Sequence, residues 1–103
     1  MELVETAVFT RQVQDQLSDD EYRAFQVYLI TRPDAGKVIP GSGGLRKVRW
    51  RFAGRGKRGG ARVIYYWKLA AERIYLLFLY PKNVRADLTP REIRVLRKLI
   101  TDE

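Results

Sequence analysis

Three segments rich in β-branched and aromatic residues, LRKVRWRF at 45–52, ARVIYYWKLA at 61–70 and RIYLLFLY at 73–80, follow one another through connections of hairpin length. Parallel neighbours need a crossover of a dozen or more residues. The loop before residue 61 and the tight Ala70-Ala71-Glu72 link leave no room for one, so the three are expected to pair antiparallel. The first segment alternates, with Arg46, Val48, Trp50 and Phe52 on one side and Leu45, Lys47, Arg49 and Arg51 on the other. One of its faces is mostly core and the other mostly cations. In the second segment Val63, Tyr65, Trp67 and Leu69 share a face, and Arg62, Ile64, Tyr66 and Lys68 share its opposite. The third is almost continuously apolar, as suits a strand in the interior of the sheet.

Other elements fall around this sheet. Val4–Phe9 reads as a short first strand and Thr10–Leu17 as a short helix. Ser18-Asp19-Asp20-Glu21 has the form of a capping box, and its acids suit the first turn of a second helix. Tyr22, Phe25 and Leu29 give that helix an apolar stripe, and Pro33 ends it. GKVIPGSGG at 36–44 reads as a turn-rich connector. After Pro81 a polar segment leads to Thr89-Pro90-Arg91-Glu92, a second capping box with proline at the first helical position, and Ile93, Leu96 and Ile100 lay the last helix on the sheet. The expected fold is α+β, in the order β-α-α-β-β-β-α, with a twisted antiparallel sheet and helices packed on one face. At 103 residues, the whole of 1–103 is expected to be one domain.

The charge is unevenly spread. Residues 1–34 carry a net −4, residues 35–71 carry ten bases and no acid, and residues 72–103 carry +2. A middle third without a carboxylate implies an anionic partner. The chain has no cysteine and no histidine, which excludes disulfides, thiol catalysis and the usual zinc ligands and general base. Acids at the N-terminus, where a signal peptide has bases, and the lack of a long apolar run point to a cytoplasmic protein away from membranes.

Gly54-x-Gly56-x-x-Gly59 spells the dinucleotide fingerprint, but a strand follows it where the fingerprint needs a helix N-terminus. What the loop offers is flexible backbone carrying Arg55, Lys57 and Arg58 beside Arg62. Glycine lets main chain approach a phosphate, and arginine can grip two of its oxygens. Arg62 stands one step inside a strand with no acid near it in sequence, which an ordinary surface loop does not explain. Trp50, Tyr65 and Trp67 fall on the core phase, whereas Tyr66 and Tyr80 are better placed to touch a ligand. Asp19, Asp20 and Glu21 need no metal, because helix capping accounts for them.

The run PDAGKVIPGSGGLRKVRW, then GKRGGARVIYYW, then LLFLYPKNVRADLTPREIRVLRKLI resembles the HigB/RelE family of bacterial toxins across nearly the whole chain. The resemblance implies two N-terminal helices on a twisted sheet, a C-terminal helix, and cleavage of messenger RNA in the ribosomal decoding site without a metal or cofactor. It implies a protein antitoxin, of helix-turn-helix type, as partner of a monomeric toxin. Arg62 matches the family's strand arginine and would stabilise the phosphate; Lys57, Lys82 and Asn83 fall where the family places further catalytic groups. Arg46, Lys47, Arg49, Arg55, Arg58, Tyr66 and Arg85 are the expected RNA contacts. Some relatives carry a catalytic tyrosine soon after the last strand, where this chain reads NVRADLT; Tyr80, Tyr66 or Lys82 would have to take its role. A rival expectation is a ParE-like toxin that binds DNA gyrase, or a nucleic-acid-coating protein without catalysis.

Overall fold

The computed structural model describes residues 1–51, 60–84 and 87–101. Strand β1 spans Glu2–Glu5, helix α1 Ala7–Gln16 and helix α2 Asp19–Thr31. The first strand is thus shorter, and the first helix begins earlier, than the β-branched run predicts. Thr6 is the reason: its hydroxyl accepts from the Phe9 amide at 3.0 Å, an N-cap that turns Ala-Val-Phe into the first helical turn. Phe9, Val13 and Leu17 then lie on the buried face. Ser18 caps α2 as expected, with both reciprocal hydrogen bonds of its box formed to Glu21.

A two-residue strand, β2 at Lys37–Val38, lies inside the expected connector. It is followed by β3 Arg46–Trp50, β4 Ala61–Lys68, β5 Arg73–Pro81 and helix α3 Pro90–Thr101. Leu69–Ala71 forms a 3-10 turn in place of the end of the second strand segment, and Glu72 closes it in the left-handed region at φ 53°. The sheet order is β1-β5-β4-β3-β2, and the β2–β3, β3–β4 and β4–β5 pairs are antiparallel. β1 instead runs parallel to β5, Glu2 beside Arg73 and Glu5 beside Leu76. No hairpin ties β1 to β5, so the helices between them supply the crossover that a parallel pair requires.

The sheet carries a core on each face. Phe9, Val13 and Leu17 of α1 and Phe25 and Leu29 of α2 pack with Val48, Val63, Tyr65, Ile74, Leu76 and Leu79. On the other side Leu96 of α3, with Ile93 and Ile100 beside it, packs on Leu45, Ile64, Tyr75, Leu77 and Tyr80. The helices therefore occupy both faces, not one. The second stripe was hidden in the sequence because Leu45 and Ile64 alternate with cations. A β-bulge adds to this: Ile64 faces Phe78 but Tyr65 faces Leu76, so Leu77 and Phe78 both turn toward α3. Beyond the bulge, Gln12 of α1 accepts from the Leu79 amide at 2.7 Å.

The 36–44 connector is built, not slack. Ser42 is fully buried, and its hydroxyl donates to Ile39 O at 2.6 Å and accepts from Leu45 N at 3.0 Å. Gly43, at φ 75°, lies under the Arg97 guanidinium, where a Cβ would stand 2.5 Å from Nε. At the connector's start the fully buried Tyr65 hydroxyl donates to Pro33 O at 2.6 Å and accepts from Gly36 N at 2.8 Å. These bonds fix the path that leads from α2 to the edge of the sheet.

Candidate active site

Strand register places Arg49 of β3, Arg62 of β4 and Tyr80 of β5 side by side across the sheet. Neighbouring strands lie about 4.8 Å apart, so this row presents two guanidinium groups and a phenol over a short span. Arg62 is only 3% exposed. Burial, and then the like charge of Arg49, lower its pKa, while Tyr80 and Asp87 oppose the shift. Like charges directly opposite on a sheet repel, so the Arg49–Arg62 pair concentrates positive charge at this point of the sheet. The entry of Arg62 into β4 is fixed by Gly60, at φ 65°, whose absent Cβ leaves room for Trp50 O at 2.2 Å. A side chain there would displace the β3 backbone.

Next to this row lies a cleft of about 150 Å³, lined by Ile39, Lys47, Ile64, Tyr80, Asp87, Leu88 and Ile93. Lys47 reaches across it and donates to Asp87 Oδ1 at 2.5 Å. Lys47, and more weakly Arg62, hold the exposed Asp87 carboxyl below its ordinary range. The sequence reading did not single out Asp87; it is 40 positions from its partner, and only the fold brings them together. Apolar walls, a phenol, an amine and a carboxylate thus converge on one opening, beside the row that holds the buried Arg62.

Residues 3–102 match the family model described as the RelE toxin of the RelE / RelB toxin-antitoxin system. The chain belongs to the RelE toxin family. The solved structure of a double arginine-to-alanine mutant of E. coli toxin RelE in the free state is similar in fold, with a TM-score of 0.62 and 13% identity over 96% of each chain. The expected RelE-like α+β architecture holds in its class, with the short β2 and the parallel β1–β5 pair added to the expected elements. Membership of a toxin–antitoxin family implies an antitoxin as partner of this toxin.

The remaining expected residues of the toxin divide sharply. Lys82 and Asn83 are exposed in the turn that follows β5. The Lys82 amide donates to Gly60 O at 3.1 Å, which ties that turn to the start of the Arg62 strand. Lys47 and Arg49 share the Arg62 face. Arg46 does not. It lies on the opposite face, its guanidinium 5.9 Å from the Trp67 ring centre and donating to Gly36 O at 2.7 Å, where it braces the loop after α2. An odd-even slip separates it from Lys47 in sequence. Tyr66 has the Arg62 phase but sits farther along β4, half-buried beside Tyr75 and under Gly44, and is not part of the cleft wall. Arg55, Lys57, Arg58 and Arg85 lie outside the described residues, as does Phe52. Among the described residues no group of His, Cys, Asp or Glu side chains is placed to hold a metal ion, and no helix is long and apolar enough to cross a membrane.

Proposed function

We propose that this toxin is an endoribonuclease that cleaves messenger RNA in the ribosomal decoding site and so stops translation. The observation that carries the reading is the buried Arg62 held opposite Arg49 and beside Tyr80. An enclosed guanidinium is suited to stabilising negative charge that develops on phosphorus. In the reaction the 2′-OH before the scissile bond attacks phosphorus, its proton passes to a base, and the 5′-oxygen leaves with a proton from an acid. The products are a 2′,3′-cyclic phosphate and a 5′-hydroxyl. Arg62 grips the two non-bridging oxygens. Tyr80, next to Arg62 and in the cleft wall, is favoured over Tyr66 for proton exchange, with Lys82 and Asn83 at the mouth. Lys57 remains a candidate in the preceding loop. Lys47 and Arg49 guide the RNA backbone. A helix-turn-helix antitoxin restrains the toxin, which acts as a monomeric single domain in the cytoplasm.

The test is brief induction in cells followed by mapping of transcript 5′ ends. Cuts confined to translated codons, and lost in a folded Arg62→Ala variant together with growth arrest, support the reading. Full toxicity of Arg62→Ala, or DNA damage without RNA cuts as a gyrase-directed toxin gives, overturns it.

A further inference from the structure

β2 pairs only with Arg46 and Lys47, so among the described residues the outer edge of β3 from Val48 to Trp50 has no strand beside it. Open edges are usually short, covered or blunted. This one borders a cleft of about 500 Å³ lined by Tyr28, Ala35, Lys37, Lys47, Val48 and Arg49. Tyr28 comes from α2 and is 38% exposed. Its ring leans on Trp50, centroids 5.4 Å apart and planes at 43°, which fixes one edge of the ring and leaves much of its surface to solvent. Val48 and Arg49 point to opposite faces of the sheet, so the cleft wraps its edge and joins the two sides.

We propose that this cleft is a nucleobase subsite, in which a base flanking the scissile phosphate of single-stranded RNA stacks on Tyr28 while Lys37 and Arg49 hold its phosphates. The subsite rests on the nuclease reading above. Three features favour RNA as the occupant. Among the described residues the lining has three cations and no carboxylate. It supplies an exposed aromatic beside those cations, the combination on which single strands stack whatever their sequence. It is also continuous with the cleavage row, since Arg49 both lines this cleft and stands directly opposite Arg62. A strand of RNA whose phosphate lies on Arg62 passes Arg49 and meets Tyr28 where the sheet ends. An extended peptide adding to the β3 edge would use main-chain hydrogen bonds and gain nothing from Arg49's link to Arg62.

The experiment uses the full chain and ribosomes programmed with a messenger RNA in which the scissile 2′-OH is replaced by hydrogen. 2-Aminopurine is placed in turn at each base flanking that site. The expected result is that one flanking position is quenched on binding, that Tyr28→Phe keeps the quench, and that Tyr28→Ala removes it and weakens binding on the order of tenfold. Lys37→Gln, on an exposed side chain, should weaken binding a few-fold and reduce its salt dependence, which keeps the test decisive if Tyr28→Ala loosens α2. Wild-type binding with no quenched base, and unchanged affinity in Tyr28→Ala and Lys37→Gln, overturns the subsite and leaves the nuclease reading standing. Unchanged RNA binding with loss of antitoxin binding in the same variants overturns it in favour of a protein-docking edge. No binding of the wild type to the programmed ribosome removes the nuclease reading and the subsite with it.

Discussion

Arg62→Met should cost the toxin its activity while changing its stability little, and both expectations follow from the position of the side chain. Arg62 is 3% exposed and faces Arg49 directly. Relief of a like-charge cross-strand pair is worth about 0.2–1 kcal/mol, and replacing buried charged groups by well-packed apolar residues is often neutral or stabilising. Methionine keeps the unbranched stem and its packing. Against this stand attraction to Asp87, whose side chain is 71% exposed and hence well screened, a long 3.4 Å contact from Nη1 to Ala61 O, and the further interactions that Arg62 makes. The opposing contributions are of similar size, so a net change within about 1 kcal/mol in either direction is expected, a shift in Tm of no more than roughly 4–8 °C in a domain of this size. Thermal melts followed by circular dichroism, with urea titrations to check that the m-value is unchanged, would measure it. RNA cleavage should fall on the order of a hundredfold or more, the usual cost of losing a donor to transition-state charge. A fall in Tm well beyond that range would refute the reasoning, since Arg62 would then be a main support of the fold, and its burial would need no functional explanation.

Other perturbations test the frame around the site. Tyr65→Phe removes the hydroxyl that bonds Pro33 O and Gly36 N, leaving a buried amide without that partner; destabilisation of about 1–3 kcal/mol in chemical denaturation is expected. Burial raises the Tyr65 pKa, so the folded chain holds the phenol proton more tightly than the unfolded chain does. That contribution is intact below about pH 10, the ordinary tyrosine value, and is lost as pH rises toward the folded value. Wild-type stability should therefore fall in alkali more steeply than that of Tyr65→Phe. Asp87→Asn frees Lys47 from its exposed ion pair. Stability should change by less than about 1 kcal/mol, while affinity for single-stranded RNA rises and its salt dependence steepens, as fluorescence anisotropy across a salt series would show.

How far the molecule was legible depended on whether its determinants were local. Ser18 and Thr89 announce their helices because cap and partner are three residues apart, and both boxes form, with Thr89 and Glu92 exchanging bonds of 2.8 and 3.1 Å. Thr6 carries only half of that signal. With Phe9 at the third helical position instead of an acid, the run Val4–Phe9 reads as strand, and only burial of Phe9 with Val13 and Leu17 makes it helix. Side-chain alternation placed Arg62, Lys47 and Arg49 together and predicted that Val63, Tyr65 and Trp67 are core. It could not place α3, because a stripe of Ile93, Leu96 and Ile100 fits either side of a sheet, and it could not foresee the bulge that sends Leu77 and Phe78 to the α3 side. Asp87 escaped notice because its meaning comes from Lys47, far away in sequence.

Helices on both faces also explain why the cations sit where they do. α1 and α2 cover the face that carries Val48, Val63 and Tyr65. α3 covers the other face through Leu45, Ile64, Tyr75 and Leu77, and Ile93 of α3 with Leu88 before it forms one wall of the Lys47–Asp87 cleft. Arg62 and Lys47 therefore emerge at the margin of a core, Lys47 beside the apolar side chains of Ile39, Ile64 and Ile93. Charges set into such a margin interact more strongly with a phosphate than the same charges on a solvated loop, because little water intervenes to screen them. The identity of 13% to the E. coli relative shows a shared fold and nothing finer. The proposed catalysis draws on this margin, where a sheet with two cores buries an arginine one strand away from another.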